Sequence, residues 1–427
     1  MKKLKNILFI PLLLLFLTAC SDKGIFYFLE NETVEEDDNN LNNNAVFSNM
    51  VYVGGNYIGN AGPNIYYRSD AADISSWSSM IMPAGFETDA TNTSMVLVGT
   101  DLFISRISHD GAGVISNVYR LDTAIAPIDV VSSSWELVVS ETNTVLSFHV
   151  YRLHTADGNL YINDLTMTRA DQYDDAVIGV SALYYIDDAA GVTPADFTTA
   201  NYDDVSVTFG TGTEEILKIL YDGAARYWMI YNDDSDGFIF YATDGDLTTG
   251  LVDVVDTATD DPAVLTEKLV DLFIYSTTEV LISNQDGSIY LTEDADQVTP
   301  AWEVMDGVVD STAVTDDELS GHFFNGFADI DTLTADTANM VIVGTTAGSS
   351  SATGYYQIDM SAATKTWTDA NFSEINNYVS IDLSSSSIKG FLYDDTVNKR
   401  LFAYTTFNGV YLNYYSTEDI DRIWSHE

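Results

Sequence analysis

One short pattern recurs along this chain and constrains its fold more than any other feature. It consists of a Gly or polar turn followed by alternating apolar and aromatic residues. It occurs at Asn64-Ile65-Tyr66-Tyr67, Gly158-Asn159-Leu160-Tyr161, Gly237-Phe238-Ile239-Phe240, Gly287-Ser288-Ile289-Tyr290, Gly354-Tyr355-Tyr356-Gln357 and Gly409-Val410-Tyr411-Leu412. Each follows another strand-like run across a turn, as Met340–Val343 precedes Gly354 and Leu401–Tyr404 precedes Gly409. Alternation with turn chemistry of this kind predicts hairpins, with the six segments as third strands of successive units. Tryptophan supplies a second ruler. Trp77, Trp135, Trp302, Trp367 and Trp424 each stand a few residues beyond such a segment or its acidic or Ser-rich turn, at separations of 58, 167, 65 and 57. If the long gap holds two units that have lost their Trp, it divides into three steps of roughly 56 and the chain contains seven units. The third and fourth then fall near residues 141–190 and 205–256. Seven units of about four strands each, with few apolar residues at helical spacing, predict an all-β fold, a seven-bladed β-propeller over residues 46–427. The alternative all-β arrangement, tandem β-sandwiches, does not explain Trp at near-constant spacing.

The turns Ser69-Asp70 to Trp77, Thr292-Glu293-Asp294 to Trp302 and Ser416-Thr417-Glu418-Asp419 to Trp424 resemble degenerate Asp-boxes. In sialidase-like and photosystem-assembly-factor-like propellers such a turn joins third and fourth strands, so the resemblance implies a Trp packed between blades. The spacing from Ser to Trp varies here and the usual Gly of the box is missing, so what is implied is fold rather than activity.

The first twenty residues carry a separate message. Lys2, Lys3 and Lys5 precede an apolar run from Ile7 to Leu17, which ends in Leu17-Thr18-Ala19-Cys20. That is a charged n-region, an h-region and a small-residue cleavage site, and the run falls short of the roughly 17 to 25 residues of a membrane-spanning helix. The tetrapeptide resembles the lipobox of bacterial lipoproteins. The resemblance implies cleavage after residue 19 and membrane attachment through lipid on Cys20, the only cysteine in the chain. Two or three acyl chains anchor durably, since each buried methylene contributes about 0.8 kcal/mol. A lone cysteine also rules out an internal disulfide, so stability must come from packing. Residues 20–45 divide into a strand-like stretch, Gly24–Leu29, and an acidic, Asn-rich linker from Glu32 to Asn44. The stretch could close the ring against the last blade or pack outside it; the linker has almost nothing to bury.

Charge narrows the partners. Loss of residues 1–19 removes three of the 17 Lys and Arg and none of the 65 Asp and Glu, leaving a net charge of −51. Such a field repels nucleic acid and anionic head groups. The acids are spread along the whole chain and resemble the surfaces of proteins that work in high salt, where the short Debye length screens self-repulsion.

Chemistry is sparse. The eight arginines, Arg68, Arg106, Arg120, Arg152, Arg169, Arg226, Arg400 and Arg422, are not grouped as a sialidase's carboxylate-binding triad requires. His149 and His154 lie five apart on one predicted strand and so point to opposite faces. Asn232-Asp233-Asp234-Ser235-Asp236-Gly237 begins like a calcium loop, but Thr243 stands where a bidentate Glu is needed. Hairpin chemistry accounts for that turn. No phosphate loop, nucleophile elbow or Cys/His pair is present. Most of the 26 tyrosines alternate with core positions inside strands, although exposed ones could stack on sugars.

The expectation is therefore a lipid-anchored envelope propeller, at the outer membrane or cell surface, that binds or scaffolds a protein partner without catalysis, metal or cofactor. A glycan is the alternative ligand, through an envelope hydrolase or lyase with channel-mouth carboxylates. In having a lipobox followed by Trp-bearing blades the chain resembles the propeller lipoprotein of outer-membrane assembly machinery, and in low Lys content it resembles surface lipoproteins of spirochaetes.

Overall fold

The computed structural model describes residues 45–426 apart from 71–76, 83–89, 110–112, 124–133, 144–146, 172–173, 188–202, 206–214, 233–235, 246, 248–251, 255–266, 310–311, 314–321, 334–337, 348–353, 370–386, 395–399, 407–408 and 414–423. Within those residues the thirty strands form seven antiparallel meanders in chain order, each a separate sheet of four strands, with two extra strands on the sixth. The first strands are Asn49–Val53, Thr91–Val98, Ser147–Ala156, Glu215–Tyr221, Leu269–Ile274, His322–Asp329 and Ile388–Asp394. They neighbour one another in a closed cycle, the seventh meeting the first. The chain is a seven-bladed β-propeller, and the sheets are not paired face to face as tandem sandwiches would be.

Hydrophobic patterning explains why the blades stack. The buried residues of the two facing sheets merge into one apolar cluster at every junction. Blades 1 and 2 share Ile58, Met95, Leu102 and Trp135; blades 2 and 3 share Val98, Phe103, Tyr151 and Ile162; blades 3 and 4 share Tyr161, Leu183, Ile216 and Met229. The series continues through Trp228 with Leu272, Leu281 with Trp367 and Ile342 with Leu401. The ring closes where Phe47, Tyr57 and Trp77 of blade 1 meet Phe402, Val410 and Leu412 of blade 7. Tyr57 and Phe402 stack with centroids 4.6 Å apart. Beside them the Tyr57 hydroxyl donates to Asp394, and the Arg400 guanidinium lies over the Tyr57 ring at 5.7 Å. Every described strand of blades 1 and 7 pairs only within its own blade, so this closure is a side-chain seam. Phe47 plugs it, fully buried and edge-on to Trp77 at 5.2 Å. It lies so close over Gly59 that a Cβ there would sit 2.0 Å from its ring. Residues 24–29, the strand-like stretch expected near this closure, lie outside the described residues.

The innermost strands share a distortion. In blades 2, 4, 5, 6 and 7 the register slips by one residue at Asn92/Ser94, Ile216/Lys218, Leu269/Asp271, Asn325/Phe327 and Ile388/Gly390. A bulge bends a strand and increases its twist, which lets long strands converge on one axis. Convergence is tightest between blades 6 and 7. Gly326 adopts φ +69° there, and a Cβ on it would lie 2.3 Å from the Cα of Gly390. One buried carboxylate ties three blades at this level. Asp271 accepts from the Lys218 ammonium at 2.6 Å and from the Gly326 N–H at 2.8 Å.

Most expected third strands are in place, at Asn64–Ser69, Gly237–Ala242, Ile289–Thr292, Tyr355–Asp359 and Val410–Asn413. The segment after Gly158 is the exception. It opens the second strand of blade 3, Asn159–Asp171, because Asp157-Gly158 turns the first hairpin there with Ala156 opposite Asn159. Blade 3 runs from Ser147 to Val205, longer than the even division of the Trp gap predicts, while blade 4 occupies only Glu215–Asp253. Asn232 and Gly237, the ends of the stretch that begins like a calcium loop, belong to paired strands, as its hairpin chemistry predicts. Tyr227–Asn232 pairs with Gly237–Ala242 across it, and the Asn232 carboxamide is committed to both backbone groups of Leu269 at 2.8 Å.

Candidate functional site

Tryptophan decides where the ring is sealed. All five repeat tryptophans stand at the start of a fourth strand or immediately before one. Trp77, Trp135, Trp302 and Trp367 pack back onto the preceding blade, as the Asp-box resemblance implies. The turn before Trp302 carries the corresponding hydrogen bonds. Asp294 accepts from Thr292 Oγ1 at 2.7 Å and from the Ala301 N–H at 2.9 Å. Burying an indole removes roughly 150–250 Å² from water, and no aliphatic residue fills the same gap.

Blades 3 and 4 lack this residue, and the junctions it would fill, 2/3 and 3/4, hold unusual polar chemistry. At the 2/3 junction a cavity of about 210 Å³ is lined by Val139, Ser140 and Glu141 of the outer strand of blade 2 and by Tyr151, Ile162 and Tyr184 of blade 3. The outer strand, Glu136–Asn143, is eight residues long where the other fourth strands have two or three, so it reaches far enough to present Glu141 to blade 3. His149 comes from the first strand of blade 3 and Asp164 from the second. Asp164 stands two and four residues beyond Ile162 and Leu160, which pack at this junction, so strand alternation turns it toward blade 2 as well.

These residues form two hydrogen-bonded pairs that face each other. The His149 Nδ1–H donates to Asp164 Oδ1 at 2.6 Å, and His149 Nε2 lies 3.9 Å from Glu141 Oε1. The Tyr151 hydroxyl donates to the other Glu141 oxygen at 2.9 Å. Asp164 is buried, Glu141 is 42% exposed and His149 lies between them at 26%. Burial raises the Asp164 carboxyl above its usual range despite the opposing pull of His149. Burial, reinforced by the bond to Glu141, raises the Tyr151 phenol as well. One ligand atom from each of Glu141, His149 and Asp164 lies within 4.8 Å of the others, the one such group of His, Cys, Asp or Glu among the described residues. The sequence reading gave His149 no such role, because it was weighed only against His154, which points to the opposite face. The legible signal was the Trp missing from blade 3.

The 3/4 junction is polar in another way. Arg152 pairs with Glu215 of blade 4. Asn163, directly opposite Arg152 in the ladder, is fully buried with neither end of its amide hydrogen-bonded. His154 Nε2 is buried without a partner as well. Desolvation, together with the nearby Arg152 and Lys218, pulls the His154 pKa down to about 3. His149 and His154 do face opposite sides of blade 3, one toward blade 2 and the other toward blade 4.

Solved structures agree on the architecture. YCF48 from Cyanidioschyzon merolae aligns over 88% of this chain and 97% of its own at 10% identity, with a TM-score of 0.50. The likeness is one of fold alone. YCF48 bound to D1 peptide (72% and 91% covered, 12% identity, TM-score 0.32) and the periplasmic gluconolactonase PpgL of Pseudomonas aeruginosa (84% and 90%, 8%, 0.43) are more distant. No protein-family profile matches the chain, and no curated protein does. Cys20, the expected lipidation site, lies outside the described residues.

Proposed function

We propose that this chain is an exported lipoprotein, held at the outer membrane or cell surface by lipid on Cys20, whose propeller is a non-catalytic binding or scaffolding module for a protein partner. The observation that carries the reading is where the cations go. Ten Lys and Arg have described side chains, and eight are engaged inside the ring. Arg120 pairs with Asp101 and Glu136, Arg106 donates to Asn92 and the Pro63 carbonyl, and Arg226 donates to the carbonyls of Ala295, Asp296 and Gln297. Lys365 bridges Glu279 and Glu293 of the neighbouring blade. Arg152 and Lys218 hold Glu215 and Asp271, and Arg68 and Arg400 are buried. Among the described residues most positive charge is therefore tied up in contacts within the propeller, against a chain with 65 acids. Such a balance favours basic partners, speeds their encounter and rejects acidic ones.

The alternative, an envelope glycan hydrolase or lyase, draws on the raised Asp164 carboxyl near Glu141, since such a pair can serve as acid and base. Asp164, however, lies behind His149 and does not line the cavity, so a glycosidic oxygen placed there meets Glu141 alone. The binding reading is tested with the intact lipoprotein purified in mild detergent and used to capture proteins from solubilised envelopes at low and molar salt. One stoichiometric basic partner, released as salt rises, is expected, with Cys20→Ala failing to take up labelled palmitate. An eluate without protein, alongside hits on a glycan array, would overturn it.

A further inference from the structure

We infer that His149 and Glu141 bind a transition-metal dication of the Zn²⁺ class, oriented by Asp164 and Tyr151, and that this ion clamps blade 2 to blade 3. The inference is independent of the proposed partner binding.

The geometry of the group leads there. Asp164 accepts from His149 Nδ1–H, which turns Nε2 toward Glu141. A carboxylate on the far nitrogen is the usual support of a metal-bound imidazole, since it fixes the tautomer and strengthens the ligand. Glu141 is held in the same manner by the Tyr151 hydroxyl, so both candidate ligands have one end fixed and the other facing a common point. The gap between Nε2 and Oε1, 3.9 Å, is too long for a hydrogen bond. A water bonded to both atoms at ordinary lengths spans it only at a narrow angle of about 90°. An ion bonded to both atoms at about 2.0–2.2 Å spans it at a wide angle, and an inward shift of roughly half an ångström brings tetrahedral geometry. Glu141 is exposed enough to make that shift.

The donor set selects the metal. An imidazole with a carboxylate suits Zn²⁺ and neighbouring transition metals, whereas Ca²⁺ requires six to eight oxygens. Glu141 also lines the cavity with Tyr151 and Tyr184, which leaves room for water beside the ion. The surrounding negative field raises the local cation concentration. Because Glu141 and His149 belong to different blades, occupancy favours the closed junction by mass action.

An acidic chain binds cations loosely at many places, so the experiment must read the imidazole. Co²⁺, a spectroscopic stand-in for Zn²⁺, is titrated into the full-length protein at neutral pH while ligand-field absorption and thermal midpoint are followed. One equivalent is expected to develop the visible bands of a nitrogen-bearing site and to be displaced by Zn²⁺. Glu141→Gln and His149→Ala are expected to abolish the bands, and Asp164→Asn to weaken binding about 10–100-fold while leaving the stoichiometry unchanged. Glu141 is a surface position, so E141Q keeps the test sound should His149→Ala fold poorly. Bands of equal strength in E141Q, or no bands in the unaltered protein, would overturn the proposal and leave His149 as a structural partner of Asp164.

Discussion

The junction between blades 5 and 6 and the one between blades 2 and 3 arise from the same four-strand unit, yet one is sealed and the other is open. At 5/6, Trp367 sits fully buried among Leu281, Phe324, Tyr356 and Ile358, with Phe324 and Tyr356 edge-on to its ring at 5.0 and 5.2 Å. At 2/3 no Trp arrives, smaller apolar residues and Phe103 fill the inner part, and the outer part is a cavity beside ionisable groups. The comparison teaches that a degenerate repeat can create a site by omission. Once the large side chain is gone, the space it filled becomes available to water, ion or ligand, and the polar residues around it are no longer excluded by packing.

Three substitutions test that contrast. Trp367→Ala should cost the most, about 3–5 kcal/mol by denaturant titration, because the removed ring leaves an unfilled gap in a rigid junction; a loss under about 1 kcal/mol would mean that tryptophan does not seal the blades. The 3/4 junction should respond to acid. His154 is held neutral in the fold, with a pKa pulled from 6.5 to about 3, so the unfolded chain binds the extra proton between those values. Its contribution is complete above pH 6.5 and drains away as pH falls toward 3. His154→Phe should flatten that part of the stability profile, as measured by thermal midpoints across the range, and an unchanged slope would place the acid sensitivity elsewhere. The smallest effect belongs to the cavity at 2/3. Val139→Phe should fill it, stabilise by roughly 0.5–2 kcal/mol and reduce Co²⁺ uptake; destabilisation would show that the space is not free to be filled.

Much of this fold was legible from Trp and hairpin spacing, since both report a packing unit that repeats. Asn64–Ser69 and Val410–Asn413 were found because their alternation follows a clear turn. Asn159–Asp171 was assigned to the wrong place in its blade because the same alternation fits a second strand equally well, and no Trp follows to fix the phase. The group of Glu141, His149 and Asp164 was not legible. Glu141 reaches His149 only because the outer strand of blade 2 is long, and Asp164 joins them through strand pairing between residues fifteen apart; neither leaves a local mark among 65 acids. The inward retention of the cations was equally hidden, because composition counts charges without saying which are engaged.

The seam between blades 7 and 1 has a mechanical consequence. Within the described residues the chain enters the ring at Phe47, the side chain that plugs this seam against Trp77. A load applied at Ala45 therefore falls first on that plug, and only afterwards on the hydrogen-bonded ladder of blade 1. Tension of this kind draws on the one junction whose blades lie at opposite ends of the described chain, so the propeller would yield as a clasp yields, at its fastening, with the other six junctions still closed.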